Sequence, residues 1–350
     1  MSLLSAALID GIMYAAWLFL VAVGLTLIYG VMKILNMAHG SLYTIGAYTA
    51  VTMVTQWLST DQSPYGSYLM LILAAVIAGL VLGLVIEYGL LRFFYQEEPV
   101  VSLLITYAVF LILEDTVKLV WGVDPYVIAE PYGLLGNVEF GDLFYPTYSF
   151  VIVVAAILAG LFLTLFLKYS RQGRILLAVI HDREVSQAMG INVQRYFLLT
   201  FIAGATLAAL GGALTAPTIS VAPGMGVEVI VMAFAVVVIG GLGSLPGAAL
   251  GAVIVGLVRS FAVHYWPEIE LFSIYAVMAL VLAVRPKGLF AAVEALARSR
   301  GCREFKVETQ STNVGACRFY ARQGCSLAAL NRFAYQDCPE ETQLIWRKDL

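Results

Sequence analysis

The stretch SYLMLILAAVIAGLVLGLVIEYGLL, residues 67–91, decides the class of fold, because Glu87 is its one charged residue. A bilayer core about 30 Å thick is crossed by about 20 apolar residues in an α-helix. This stretch therefore predicts a membrane-spanning helix, and eight others share its character. The predicted spans are residues 8–30, 40–58, 67–91, 100–121, 146–168, 196–216, 226–240, 248–264 and 270–285.

The composition of the whole chain agrees with a membrane protein. Hydrophobic residues make up 61% of the 350 residues and charged residues 12%, whereas about a quarter of an ordinary soluble domain is charged. These values exclude a soluble two-domain enzyme, a collagen, a disordered chain and a disulfide-rich secreted module. The net charge of −3 offers no basic surface, so we expect no nucleic-acid partner. We predict an all-α polytopic membrane protein with about 8–9 transmembrane helices in contact with membrane lipid.

The end of the chain differs from the rest. Residues 1–290 carry 27 charged side chains, whereas residues 291–350 carry 16 and all four cysteines. The cysteines form no CxxC pair, so we expect reduced thiols, no metal site and no cofactor. No Lys or Arg precedes the first apolar segment, so we expect no cleavable signal peptide. The change predicts a membrane domain over residues 1–290 and a small α+β fragment over residues 291–350.

Lysine and arginine alternate between the loops, which predicts the orientation. The loops with none of them are the segment before residue 8 and residues 59–66, 122–145 and 217–225. The basic residues of the other loops are Lys33, Arg92, Lys168, Arg171, Arg174, Arg183, Arg195, Arg285 and Lys287. Basic loops face the cytoplasm, so we expect an external N-terminus, nine crossings and a cytoplasmic C-terminus. Arg259, assigned to the connection before the last span, is the exception.

One candidate for the solute path lies between the first two predicted spans. Asn36, His39 and Gly40 stand there at a small-residue helix start, where free N–H groups can attract a carboxylate. An interfacial loop with satisfied polar side chains is the alternative.

A second candidate for the path is the run GGLGSLPG, residues 240–247, with Gly240, Gly241 and Gly243 as its path residues. Glycine and proline at this density interrupt a helix. The interruption is either open backbone at membrane depth, as transporters use to hold a polar solute, or a plain cytoplasmic turn.

Ionisable residues inside the spans are few. Glu114 and Asp115 stand four and three residues before Lys118, a spacing that favours a local ion pair over a solute site. No chain of carboxylates crosses the predicted membrane domain, so a proton-driven relay is not indicated.

The long basic connection at residues 168–195 favours a cytoplasmic partner. Its residues 175–180 are apolar, Asp182 can cap a short helix over residues 183–189, and Gly190 can end that helix. Apolar Val185 and Met189 would be exposed on it, which suits docking into a groove of another protein. A plain interfacial helix in the headgroups is the alternative.

Four motifs in this order resemble the LivH type of branched-chain amino-acid ABC transporter permease. They are LNMAHGSLYTIGAY at residues 35–48, AMGIN at 188–192, AFAVVVIGGLGSLPGA at 233–248 and RPKGLF at 285–290. The resemblance implies a subunit of an importer in the cell inner membrane that works by alternating access and carries branched-chain amino acids, or else urea, amides or another amino acid. It implies a second permease subunit, two cytoplasmic ATP-binding subunits and a periplasmic solute-binding protein. The residues that it assigns to ATPase coupling are Arg183, Glu184, Ala188, Met189 and Gly190.

The sequence contains no Gly-x-x-x-x-Gly-Lys-Ser/Thr loop, so ATP must be hydrolysed by another chain. This agrees with a loop that docks a partner. The subunit itself is therefore expected to have no enzymatic activity.

The last part of the chain resembles the C-terminal part of GCN5-related N-acetyltransferases. The matching residues include VETQ at 307–310, NVGAC at 313–317 and the pair at 319–320. The resemblance implies that Asn313 contacts coenzyme A and that Tyr320 protonates the leaving thiolate. The earlier strands and the pyrophosphate loop have no counterpart, and an incomplete sheet leaves exposed edges. We therefore expect an inactive fragment with a vestigial coenzyme A site.

Three other classes of function remain as alternatives to the permease. A membrane-tethered N-acetyltransferase would bind coenzyme A. A receptor or scaffold would dock a signalling partner on residues 168–195 without transport. A secondary transporter would use an ion gradient without ATP.

Overall fold

The computed structural model describes residues 2–95, 97–140, 143–284, 304–310, 326–331 and 343–349. The chain divides into two compact units, Met1–Phe290 and Ala291–Leu350.

The first unit is a helical bundle, and each of the nine predicted spans coincides with one of its helices. Three short helices lie in the connections. In chain order the helices are α1 Ser2–Met32, α2 His39–Leu58, α3 Ser67–Gly89, α4 Pro99–Trp121, α5 Glu130–Gly133, α6 Thr147–Tyr169, α7 Arg171–His181, α8 Arg183–Ala188, α9 Val193–Thr215, α10 Met225–Gly240, α11 Leu245–Tyr265 and α12 Glu270–Val284. Strands β1 Asn137–Phe140 and β2 Leu143–Pro146 form an antiparallel hairpin before α6.

Six helical segments of the described residues are long and apolar enough to cross a membrane, namely Leu3–Met32, Pro64–Gly89, Val100–Trp121, Thr147–Tyr169, Val193–Thr218 and Leu245–Tyr265. Two shorter apolar helices, Met225–Gly240 and Phe272–Val281, accompany them. The chain is therefore a multi-pass membrane protein, as predicted. The crossing number of nine and the external N-terminus stay predictions.

The bundle is held together by close contacts at small residues. A Cβ on Gly79 of α3 would lie 2.3 Å from the Thr206 Cα of α9. Helices in lipid associate through such close van der Waals packing, because lipid supplies little hydrophobic drive between them. The small residues therefore allow a tightly packed bundle.

Helix α2 lies at the centre of the bundle, which is why this helix can carry polar side chains within the membrane domain. Nearly all of its residues from His39 to Val54 are buried. The chain turns back after α1, so that His39 at the start of α2 lies beside Val21, about 16 Å before the end of α1. Polar side chains of α2 are thereby enclosed by protein instead of lipid.

The structure corrects the position of Arg259. It lies within α11, inside the predicted span 248–264, and not in the connection before the last span. The local ion pair expected at the end of the fourth span is confirmed for Asp115 and Lys118, at 2.9 Å. Glu114 is buried, and its hydrogen-bond partner is the N–H of Gly224, which directly precedes α10.

The second unit contains a three-stranded antiparallel sheet in the order β3, β5, β4, with β3 Glu304–Gln310, β4 Ser326–Asn331 and β5 Gln343–Asp349. Residues 304–309, where polar and apolar side chains alternate in a pattern typical of a strand, lie in β3. Asn313 and Tyr320, the expected vestigial coenzyme A residues, lie outside the described residues.

Candidate functional site

A cavity of about 580 Å³ opens at the end of the bundle where α6 and α10 begin and α11 ends. We call it the Arg259 cavity. Its volume is in the range of small-molecule sites. Its apolar wall contains Met13, Trp17, Ile152, Ile219, Met225, Val229, Met232 and Val263. Its polar and charged residues are Asp10, Tyr14, Tyr43, Ser149, Thr215, Thr218, Glu228, Arg259, Ser260 and His264.

The Arg259 side chain is fixed from two sides. Its Nη2 forms an ion pair with Glu270 Oε1 of α12. The guanidinium lies over the Tyr14 ring, with its central carbon 4.0 Å from the ring centroid. Its Nε is buried and has no hydrogen-bond partner among the residues that the structure describes. Part of the hydrogen-bonding capacity of the guanidinium is therefore unused.

The two carboxylates that line the cavity differ in their partners. Asp10 Oδ2 lies 3.3 Å from His264 Nε2, and His264 Nδ1 donates to the Ser260 carbonyl oxygen at 2.9 Å. Burial and, after it, the Asp10 carboxylate raise the pKa of Tyr145 on β2. In the part of the chain that the structure describes, Glu228 has no ion-pair partner.

Aromatic and methionine side chains shape the interior of the cavity. The Trp17 Nε1–H donates to the Tyr43 hydroxyl at 3.3 Å, and the Tyr14 hydroxyl donates to Met232 Sδ at 2.7 Å. Tyr43 is fully buried and belongs to α2, so it closes the cavity toward the middle of the bundle.

In the first predicted group of path residues, His39 and Gly40 lie about one helical turn before Tyr43 in α2, and Asn36 lies in the connection before that helix. Asn36 Oδ1 accepts from the Ala38 N–H at 3.1 Å, and His39 Nε2 donates to the Val21 carbonyl oxygen at 2.9 Å. A Cβ on Gly40 would lie 2.3 Å from the Gly226 carbonyl oxygen. Asn36 Nδ2 and His39 Nδ1 are buried and have no hydrogen-bond partner within the described part of the chain. These residues adjoin the Arg259 cavity but do not line it.

The second predicted group lies in the connection from α10 to α11, away from that cavity. Gly240 ends α10, and Gly241 and Gly243 have φ values of 102° and 82° in the four-residue turn. Ser244 Oγ accepts from the Gly247 N–H at 3.1 Å and so begins α11. The backbone is interrupted by a tight, capped turn, which leaves little open backbone for a solute.

Arg259 was not predicted as a site residue, because its charge was used only to predict which side of the membrane its loop faces. The available signal was its place within the apolar segment 248–264, since an ionisable residue inside a span is by default a functional candidate. Glu270 and Tyr14 carry no such signal, because their proximity to Arg259 depends on how the helices pack.

The predicted partner-docking connection, residues 168–195, forms the two consecutive helices α7 and α8. They lie at the opposite end of the bundle, where α6 ends and α9 begins. We call residues 171–190 the docking segment. Ser170 Oγ caps α7 by accepting from the Gly173 N–H at 2.8 Å. Asp182 Oδ1 caps α8 by accepting from the Val185 N–H at 2.9 Å. Gly190 follows with a φ of 82°. The expected short helix and its cap are confirmed.

The residues predicted to couple to the ATPases differ in exposure. Met189 is 76% exposed and Val185 is 47% exposed. Glu184 and Ala188 are exposed as well. Arg183 is half-buried, and its guanidinium lies 5.0 Å from the centroid of the Phe197 ring of α9. The segment thus has an apolar outer face and a link to a long helix beneath it.

Two helices connect the docking segment to the Arg259 cavity. Helix α6 contributes Ser149 and Ile152 to the cavity and ends next to α7. Helix α9 begins after α8 and contributes Thr215 to the cavity. Each is 23 residues long, or about 34 Å. A displacement at one end can therefore be carried to the other by rigid elements.

Among the described residues, no group of three or more His, Cys, Asp or Glu side chains is placed to hold a metal ion.

Comparison with known proteins gives consistent matches over this helical unit. The family model described as "Branched-chain amino acid transport system / permease component" matches residues 7–282. The high-affinity branched-chain amino acid transport system permease protein BraD of Pseudomonas aeruginosa is 30% identical over 295 residues, which cover 81% of this chain and 94% of the relative. The corresponding LivH protein of Escherichia coli K12 is 28% identical over 289 residues, covering 80% and 93%. A probable branched-chain amino acid transport permease protein LivH of Methanocaldococcus jannaschii is 29% identical over 262 residues, covering 73% and 79%.

Proposed function

Because the chain belongs to the family of permease components of branched-chain amino acid transport systems, we propose that the solute of its importer is leucine, isoleucine or valine. The chain is a permease subunit of an ABC importer, a transporter subunit and not an enzyme, and it works with other subunits. Urea, amides and other amino acids are the alternative solutes.

The partners in this proposal are a second, related permease subunit, two cytoplasmic ATP-binding subunits and a periplasmic solute-binding protein. The observation that carries it is the exposed apolar face of the docking segment, with Met189 76% exposed beside Val185. An apolar side chain with this exposure on a capped helix suits insertion into a groove of a soluble protein. The basic residues around it favour the cytoplasmic side. In this proposal the chain lies in the cell inner membrane with its C-terminus in the cytoplasm.

The proposed mechanism is alternating access driven by the ATP-binding subunits. When these subunits close, they displace α8 and α7. Helices α6 and α9 follow, since α7 packs against the end of α6 and Arg183 lies over Phe197. Their far ends then move at the Arg259 cavity, which changes its access to the outside.

For residues 291–350 we propose an acetyltransferase-like fragment without acetyl-transfer activity. The absence of a pyrophosphate loop in the sequence supports this. Acetyl-coenzyme A turnover by the purified chain would be measured beside a Tyr320→Phe variant. Turnover above that of the variant would overturn the proposal.

The partner assignment is tested by purifying the tagged full-length chain in mild detergent and identifying what copurifies by mass spectrometry. We expect a chain with a Gly-x-x-x-x-Gly-Lys-Ser/Thr loop and a second polytopic permease. Copurification of a signalling protein without any ATPase would contradict the proposal.

A further inference from the structure

We propose that the Arg259 cavity is a solute-binding site for a zwitterionic α-amino acid with an apolar side chain. Arg259 binds the carboxylate, Glu228 binds the ammonium group, and the methionine-rich wall holds the side chain. This inference rests on the proposed function, because it assigns that function's solute to one site.

Arg259 is prepared to bind a carboxylate. A guanidinium has five N–H donors in a planar fork, which matches the two oxygens of a carboxylate. Glu270 forms an ion pair with Nη2, and the Tyr14 ring lies under the guanidinium, with its centroid 4.0 Å from the central carbon. The orientation of the guanidinium is therefore fixed before a ligand binds. The buried, unpartnered Nε is a donor without an acceptor, and a buried donor without an acceptor is unfavourable.

Glu228 is the carboxylate available to a cation. Asp10 already lies 3.3 Å from His264 Nε2 and is the hydrogen-bond partner of Tyr145, and Glu270 is paired with Arg259. Glu228 lines the same cavity from the first turn of α10 and has no ion-pair partner among the described residues. One available anion and one partly available cation in a single cavity fit a zwitterion better than they fit either charge alone.

The wall between these groups fits a branched aliphatic side chain. It includes Met13, Met225, Val229, Met232 and Val263. Methionine is unbranched and adapts its shape, so one wall can accommodate side chains that branch at different carbons. A lipid chain would be satisfied by the wall alone and would gain nothing from Arg259 and Glu228.

The position of the cavity agrees with delivery from outside. It lies at the end of α6 and α9 opposite the docking segment. If the docking segment faces the cytoplasm, the cavity opens toward the side on which a solute-binding protein would deliver its cargo.

A cysteine reporter tests binding directly in the complete importer. Residues 1–290 contain no cysteine, so Val229→Cys in a background with the four tail cysteines changed to serine places one thiol in this unit. We expect millimolar leucine to slow its reaction with a maleimide severalfold, whereas isoamylamine, which lacks the carboxylate, leaves the rate unchanged. Equal protection by both would overturn the assignment of Arg259.

Arg259→Gln should abolish that protection and raise the KM for leucine uptake about 10- to 100-fold, the effect of losing a charge-assisted hydrogen bond. Arg259→Lys should give an intermediate KM, because it keeps the charge but loses the fork. The matched control is Arg92→Gln, since Arg92 also lies 4.0 Å over a tyrosine ring, that of Tyr88, but does not line the cavity.

The results distinguish a failure of the proposed function from a failure of the assigned binding site. If the unmodified importer takes up no branched-chain amino acid, the proposed function fails, and this inference fails with it. If the importer is active and Arg259→Gln matches Arg92→Gln in KM and in leucine protection, the proposed function stands and the assigned site is wrong.

Discussion

Glu114 of α4 accepts a hydrogen bond through Oε2 from the backbone N–H of Gly224, at 3.0 Å, across 110 positions of sequence. Gly224 has a φ of 90° and directly precedes α10. Glu114 therefore caps another helix, and it does so beside the residues of α10 that line the Arg259 cavity. A negative group is favourable at that position because it interacts with the positive end of the helix dipole.

Loss of this cap should disturb the start of α10. We expect Glu114→Ala to destabilise the protein by about 0.5–2 kcal/mol, the range for removing a helix N-cap. We also expect a higher KM for uptake, because Met225 and Glu228, which line the Arg259 cavity, lie in the first turn of α10 directly after the cap. The control is Asp115→Ala, which removes only an exposed ion pair with Lys118 and should leave both quantities unchanged. The measurements are thermal unfolding in detergent and uptake kinetics; equal effects of the two variants would refute the capping role.

A charge on the docking segment should detach the ATP-binding subunits. Met189→Glu places a carboxylate on a side chain that is 76% exposed, so it should not disturb folding but should be unfavourable in an apolar groove. We expect at least a tenfold loss of copurified ATPase. Val127→Glu introduces the same charge at a 70% exposed position in the connection after α4 and should have no effect. Unchanged ATPase recovery with Met189→Glu would contradict docking at this segment.

Backbone strain provides a second test of the same segment. Gly190 has a φ of 82°, which proline cannot adopt. Gly190→Pro should therefore misplace α8 and reduce uptake together with ATPase recovery, while membrane insertion stays normal. Uptake by this variant at the unmodified rate would mean that the geometry after α8 is not needed for coupling.

The close approach of α2 to α10 should not tolerate a side chain. A Cβ on Gly40 would lie 2.3 Å from the Gly226 carbonyl oxygen, so we expect Gly40→Ala to cost about 1–3 kcal/mol by overpacking. Gly133→Ala is the control, because a Cβ there meets nothing within 4 Å. Thermal unfolding of the purified complex compares the two, and equal melting temperatures would show that α2 and α10 separate freely.

The orientation can be measured with single cysteines in the tail-cysteine-free background. We expect Ser63→Cys, in the connection before α3, to react with a membrane-impermeant maleimide in intact spheroplasts. Gln187→Cys, in α8, should react only after the membrane is opened. The reverse pattern would place the docking segment outside and would exclude its coupling to cytoplasmic ATPases.

The nine long apolar helices and α8 were predictable because each depends on local sequence, whereas α5 and α7 were not predicted. Residues 67–91 are apolar throughout, and α3 follows at Ser67–Gly89. The helix α8 was equally local, since Asp182 caps it three residues before Val185. Strand β3 likewise coincides with a local alternation of polar and apolar residues.

The features that depend on how the helices pack could not be predicted from local sequence. Glu114 had a lysine four residues away, yet its partner is Gly224 on a distant helix. Arg259 pairs with Glu270 and lies on Tyr14, which is 245 positions away in the chain, a distance that no local pattern encodes. Asn36 and His39 were recognisable as a motif, but the hydrogen bond of His39 to Val21 forms only because the chain turns back along α1.

ATP-driven uptake of radiolabelled leucine into proteoliposomes tests the central claim most directly. The importer would be reconstituted with this chain, its copurified subunits and the solute-binding protein, and compared with a preparation that lacks this chain. We predict uptake that requires both ATP and this chain and that is unaffected by dissipating ion gradients. Uptake that persists without the chain, or that an ion gradient drives in the absence of ATP, would contradict the account.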